Sequence, residues 1–208
     1  MVKRMVEVKR KTKETDIKLK LNLDGTGKYK IKTGIGFLDH MLELFAFHGL
    51  FDLEIEAKGD LKVDIHHTNE DIGIVLGQAF KKALGDKKGI KRFGFASVPM
   101  EGVVAKVTLD ISGRGHFNEI IRKGFQVKLI SEAKERYTTE DANHFFESFA
   151  KQCGINLIIE TSTDMSGVVQ DIHTALEPIF KALGLALRQA VEIDPRRKDV
   201  PSTKGIID

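Results

Sequence analysis

The chain has 208 residues, enough for one large domain or two small ones with a substantial core. Its 33 basic and 30 acidic side chains leave a net charge of +3, mixed in sign rather than one-sided, which argues against a nucleic-acid-binding or membrane-surface protein. The single cysteine, Cys153, excludes an intramolecular disulfide framework and any zinc-ribbon or iron–sulfur ligation. It suits a cytoplasmic setting and reads as a small buried hydrophobe. No apolar run reaches membrane length, and the alternating basic and apolar residues 1–13 lack the apolar core of a secretion leader.

Ile17, Leu19, Leu21 and Leu23 alternate with polar residues and meet Asp24-Gly25-Thr26-Gly27, which predicts a half-buried strand running into a turn. Residues 37–50 carry apolar side chains at helical spacing, and a strand is predicted over 51–57. A second helix is predicted over 72–84, then strands over 103–111 and 125–130. A third helix follows over 143–153, a strand over 155–161, and a fourth helix over 179–191. No low-complexity linker separates independent domains. The order of elements predicts an α+β layer structure with helices covering one sheet face.

An internal repeat is more informative. His40-Met41-Leu42-Glu43-Leu44-Phe45-Ala46 matches His144-Phe145-Phe146-Glu147-Ser148-Phe149-Ala150 at its His, Glu, Phe and Ala positions. Asp64-Ile65-His66, with Glu70 four residues past the His, matches Asp171-Ile172-His173 with Glu177. The motifs recur in the same order, His40 and His66 being 26 residues apart and His144 and His173 29 apart. Duplication explains this, with a first half over residues 1–88 and a second over 89–208.

Five of the seven histidines, His40, His66, His67, His144 and His173, lie in the repeated motifs. A lone His on an apolar helix is usually a satisfied core residue; the repetition argues for ligands. A Glu four residues after a His shares its helix face, and such nitrogen and oxygen donors suit Mn, Fe, Co or Zn. Asp39, Asp64 and Asp171 either orient ligand imidazoles or cap helices. His48 and His116 fall outside the repeat and read as structural or solvent-facing. Pro195-Arg196-Arg197-Lys198 and Pro201-Ser202-Thr203-Lys204-Gly205 combine cationic donors, hydroxyls and flexible backbone suited to a phosphate ester, or to a solvated basic tail.

Along nearly its whole length the sequence resembles the imidazoleglycerol-phosphate dehydratases. The resembling segments include Arg10-Lys11-Thr12-Lys13-Glu14-Thr15, Gly36-Phe37-Leu38-Asp39-His40-Met41 and Asp64-Ile65-His66-His67-Thr68-Asn69-Glu70-Asp71-Ile72-Gly73. Others are Ser97-Val98-Pro99-Met100, Asp110-Ile111-Ser112-Gly113-Arg114, His144-Phe145-Phe146-Glu147, Phe180-Lys181-Ala182 and Pro201-Ser202-Thr203-Lys204-Gly205. The resemblance implies an α+β fold of two duplicated halves, each a four-stranded sheet with two helices packed on one face. It also implies an assembly of twenty-four subunits built from trimers, with two manganese ions per site between neighbouring subunits.

By the same resemblance the activity is loss of water from imidazole glycerol phosphate to give imidazole acetol phosphate, a step of histidine biosynthesis. Metals on both ring nitrogens would favour the imidazolate, whose electrons expel the side-chain hydroxyl to give a diazafulvene-like intermediate. Carried over residue by residue, His40, His66, His67, Glu70, His144, His173 and Glu177 match metal ligands. Arg92, Arg114, Lys181, Ser202 and Lys204 match the phosphate-binding set. Glu14 matches a substrate-contacting acid, and Glu14 and Glu70 are the expected catalytic acid and base.

The chain departs from the family at a few positions. Thr174 stands where a second imidazole is usual, Pro178 is expected to displace the local helix start, and Leu44 replaces a glutamine. Glu101-Gly102 replaces an Asp-Glu pair. These departures allow a second reading, a non-catalytic or engineered member that keeps fold and assembly but lacks a competent second metal site.

Overall fold

A computed structural model describes residues 4–121, 126–128, 137–163 and 169–207. The first sheet contains β1 (Met5–Lys11), β2 (Thr15–Asn22), β3 (Tyr29–Lys32) and β4 (Asp52–Gly59), in the order β1-β2-β4-β3. The second contains β5 (Phe93–Met100), β6 (Val103–Asp110), β7 (His116–Ile121) and β9 (Asn156–Thr163), in the order β5-β6-β9-β7. In each sheet the first three strands in that order are antiparallel and the last pair is parallel. The duplication inferred from the His and Glu motifs is therefore also a duplication of sheet topology. A short parallel pair joins β8 (Gln126–Lys128) to β10 (Val169–Asp171). Of the strand predicted over 125–130, residues 125, 129 and 130 lie outside the described residues.

Among the described residues, four helices fill the space between the sheets: α1 (Gly36–Gly49), α2 (His66–Leu84), α3 (Thr139–Cys153) and α4 (Ile172–Val191). Helices α1 and α2 lie on the first sheet, α3 and α4 on the second. Their main partners cross between halves, α2 with α3 and α1 with α4. Glycines set how closely those pairs approach. A Cβ on Gly77 would stand 2.6 Å from the Phe149 carbonyl oxygen, and one on Gly184 2.5 Å from that of Phe45. The two contacts are counterparts under the repeat, which gives the helix layer a pseudo-twofold relation.

One continuous core results, crossed by an aromatic chain. Phe51 meets Phe80 at 5.1 Å between ring centroids, Phe80 meets Phe149 at 5.7 Å, and Phe145 and Phe180 extend the chain into the second half. Cys153 is part of this core, and burial pushes its thiol pKa up to about 12, as befits an inert small hydrophobe.

Differences from the predicted elements have physical causes. Helix α2 begins at His66 rather than 72, because its first turn is polar and the apolar period starts only at Ile72. Helix α3 begins at Thr139, where Thr138 and Asp141 form a reciprocal capping box. Pro178 does not displace the start of α4, which begins at Ile172 with Asp171 as its cap and runs through the proline. Strands β1, β3, β5 and β7 and the three-residue β10 escaped prediction; the first four are sheet edges, where burial alternates weakly, and β10 is too short to show a period. Pro99 is tolerated in β5 on the same ground.

Candidate active site

The repeated motifs lie at the starts of α2 and α4 and within α1 and α3, so cross-half packing pairs the first motif of one half with the second motif of the other. His40 on α1 stacks on His173 of α4, with ring centroids 5.1 Å apart. Glu177, one turn beyond His173, places Oε2 2.6 Å from His173 Nε2 and 3.8 Å from His40 Nε2. One donor atom from each of these residues lies within 4.8 Å of the others. That spread is close to what donors at about 2.0–2.2 Å from one shared ion would show. Two imidazoles and a carboxylate also have the right chemistry for a borderline divalent cation. Burial raises the Glu177 carboxyl, but the Lys181 ammonium and the His173 imidazole together outweigh it and hold the group below its ordinary pKa.

The counterpart cluster joins α2 to α3. His144 Nδ1 is 3.3 Å from His66 Nδ1, the rings meeting edge to face, and His66 Nε2 is 3.7 Å from Glu70 Oε2. His66 therefore turns one nitrogen to each neighbour, a looser arrangement than at Glu177. His67 belongs to neither cluster. Its Nδ1 is 3.0 Å from Asp60 Oδ2 and its Nε2 3.9 Å from Glu14 Oε1. The Asp60 hydrogen bond outweighs desolvation and, with the Glu14 charge, raises the imidazole pKa above its ordinary value. Glu14 lies in the turn between β1 and β2, where Thr12 Oγ1 accepts from its backbone N–H.

The three aspartates weighed as imidazole partners serve the backbone instead. Asp39 accepts from the Thr33 amide and hydroxyl, Asp64 from the His66 amide, and Asp171 from the Thr174 amide. Thr174, the counterpart of His67, is buried, and its hydroxyl donates to Asp171 Oδ2 at 2.9 Å. An aspartate that does touch an imidazole, Asp60, was missed by sequence reading. It precedes His67 by seven residues, beyond any single-turn spacing, and only the return of β4 onto α2 brings the two together. A second missed acid, Asp71, is buried beneath the start of α2, pairing with Arg10 at 2.8 Å and accepting from the Thr15 hydroxyl at 2.5 Å.

Four of the five phosphate candidates meet. Arg92, Arg114, Ser202 and Lys204 line a cavity of about 170 Å³ with Ser112 and Thr203. Arg92 has a left-handed backbone, φ +76°, over-determined by its contacts. Its guanidinium grips Asp110 through two hydrogen bonds of 2.6 and 2.9 Å and donates to the Pro201 carbonyl, anchoring the C-terminal segment. Among the described residues two of its five N–H donors are left for a ligand. Lys181 does not line this cavity; it sits one turn past Glu177 and pairs with that carboxylate. Of the histidines outside the repeat, His116 is exposed and His48 packs edge-on to Phe47, its pKa lowered by burial and by Lys181.

Comparison with known proteins agrees with this geometry. The profile of the family described as "Imidazoleglycerol-phosphate dehydratase" matches residues 33–187, which include both clusters. The chain is 53% identical over 204 residues to the "Imidazoleglycerol-phosphate dehydratase" of Caldanaerobacter subterraneus subsp. tengcongensis, covering 98% of this chain and all of that one. It is 50% identical over 207 residues to the enzyme of that name from Clostridium botulinum, covering both chains fully. The structure of the Pyrococcus furiosus enzyme in complex with (S)-C348 superposes with a TM-score of 0.76 at 33% identity, covering 96% of this chain and 99% of that one. The Staphylococcus aureus enzyme gives 0.74 at 32% identity, covering 91% and 99%. With a shared fold, full-length relatives and the duplicated His and Glu clusters, the chain belongs to the imidazoleglycerol-phosphate dehydratase family.

Proposed function

We propose that this chain carries out its family's reaction with two divalent cations, manganese being the expected metal, held by the duplicated His and Glu residues. The reaction is loss of water from imidazole glycerol phosphate to give imidazole acetol phosphate, a hydro-lyase step of histidine biosynthesis. The observation that carries the assignment of roles is the cross-half convergence of His40 with His173 and Glu177, repeated by His144 with His66 and Glu70. His67 supplies a further donor through Nε2. Bound cations would stabilise the imidazolate form of the substrate ring, whose electrons can then expel the hydroxyl.

The protein's own groups handle the protons and the phosphate. Glu14 and Glu70, both beside imidazoles, are the acid and base. Arg92, Arg114, Ser202 and Lys204 hold the phosphate, which fits a cavity rich in N–H and O–H donors. Lys181 matches the same phosphate-binding set through the family resemblance, and in this chain its ammonium pairs with Glu177.

Self-association into twenty-four subunits built from trimers is supported by a difference between the two outer sheet faces. The first sheet presents Lys18, Lys20, Glu54 and Glu56, whereas the second exposes Phe93, Phe95, Ile120 and Ile158, with Phe95 70% exposed. An apolar face of that kind is normally covered by a partner. No described helix is long and apolar enough to cross a membrane, and we place the enzyme in the cytoplasm.

The test is turnover of imidazole glycerol phosphate by the purified protein, with metal content and particle mass measured on the same sample. Manganese-dependent release of imidazole acetol phosphate from a particle of twenty-four chains is expected. Full turnover after complete metal removal, or by a monomer, would refute the assignment.

A further inference from the structure

We infer that Asp60 is the positioning residue for His67, holding the ring with its Nδ1 proton on the carboxylate and its Nε2 lone pair presented towards Glu14. Asp60 follows directly on β4, and Gly59 at the end of that strand packs tightly on the first turn of α2. A Cβ there would fall 1.8 Å from Thr68 Oγ1. That contact fixes the carboxylate beside the ring. Oδ2 takes the ring nitrogen at 3.0 Å, while Oδ1 is buried with no hydrogen-bond partner among the described residues. The Asp60 side chain is half-buried, 28% exposed, yet leaving its buried oxygen without a partner is costly, which marks the carboxylate as held for the ring rather than for the fold.

The two nitrogens of an imidazole take their roles from each other. A carboxylate at Nδ1 makes that atom the donor, leaving Nε2 basic and fixed in direction. At His67 the freed Nε2 faces Glu14 across 3.9 Å. The pseudo-twofold counterpart, Thr174, has its hydroxyl committed to Asp171, so the device belongs to the first half alone. Its use in metal binding rests on the proposed role of His67 as a ligand; the ring orientation does not.

The experiment compares wild type, Asp60→Ala, Asp60→Asn, His67→Ala and the Asp60→Ala/His67→Ala double variant as assembled protein. Manganese affinity is measured by competition with a chelator, and metal-free crystals of wild type and Asp60→Ala are examined for the His67 ring. Asp60→Ala should weaken one class of manganese site by about 10–100-fold, and Asp60→Asn by less, since an amide oxygen still accepts from Nδ1–H. In the His67→Ala background, Asp60→Ala should cause no further loss, and in metal-free Asp60→Ala the ring should leave its wild-type orientation. Undiminished loss in the His67→Ala background, or wild-type affinity in Asp60→Ala, would overturn the inference. Should wild type bind no manganese, the metal assignment falls and the ring decides alone: a turned ring supports the positioning role and an unmoved ring overturns it.

Discussion

His40 and Glu177 belong to opposite halves of the duplicated chain, yet His40 Nε2 lies 3.8 Å from Glu177 Oε2. The contact exists because α1 packs on α4, with Gly184 giving the Phe45 turn room to approach. Lys181 shares the same carboxylate and competes with any cation for it.

Replacing Lys181 by Met should therefore move two quantities in opposite directions. Manganese should bind the His40, His173 and Glu177 cluster about two- to fivefold more tightly, the factor expected from removing a partly exposed ion pair. The KM for the phosphate substrate should rise. Metal titration and steady-state kinetics on one preparation check both.

Gly77→Ala should destabilise the protein although alanine is the better helix former by roughly 1 kcal/mol. The added methyl would stand 2.6 Å from the Phe149 carbonyl oxygen, and forcing α2 from α3 should cost about 1–3 kcal/mol overall. Chemical denaturation measures it. Gly85→Ala is a poor control despite its open surroundings, because its φ of +55° itself favours glycine.

Thr174→His, which restores the family's usual imidazole, should lower stability rather than improve metal binding. Thr174 is 4% exposed and its hydroxyl is spent on Asp171, so a ring there overfills the start of α4 and weakens its cap. A thermal midpoint equal to wild type together with tighter manganese binding would contradict this reading.

Asp171 gives a pH signature. The Thr174 backbone N–H, and after it the Thr174 hydroxyl, hold the carboxyl below its ordinary pKa against the opposing effect of burial. The cap's contribution is therefore complete above the unfolded-state value of about 3.9 and lost as pH falls through the lower folded-state value. Asp171→Ala should be less stable than wild type by about 1 kcal/mol at pH 7, the gap closing below pH ~4. Denaturation midpoints from pH 7 to pH 3 measure the gap.

In the phosphate cavity, Arg114→Ala and Arg92→Ala should part company. Arg114 is exposed at the cavity wall, and its loss should raise KM with stability nearly unchanged. Arg92 also ties β6 to the C-terminal segment through Asp110 and the Pro201 carbonyl, so its loss should raise KM and also cost about 1–3 kcal/mol. Kinetics paired with denaturation separates the two roles.

The sequence by itself determined the duplication, the four helices and the identity of the metal-ligand candidates. Each depends on spacing along the chain: a Glu four residues after a His shares its face wherever the segment is helical, and buried strands and helices carry their periods openly. What needed the tertiary structure were relationships between segments. Edge strands β1, β3, β5 and β7 are half exposed and carry little period, so their place came from pairing with β2, β4, β6 and β9. No local pattern says that His40 meets α4 rather than α2, because that choice is made by glycines at the helix crossings. The same holds for Asp60 beneath His67 and for Lys181 beside Glu177 rather than in the cavity of Arg92. Side-chain chemistry is written locally, whereas which groups share a site is decided by how the two halves of the helix layer pack.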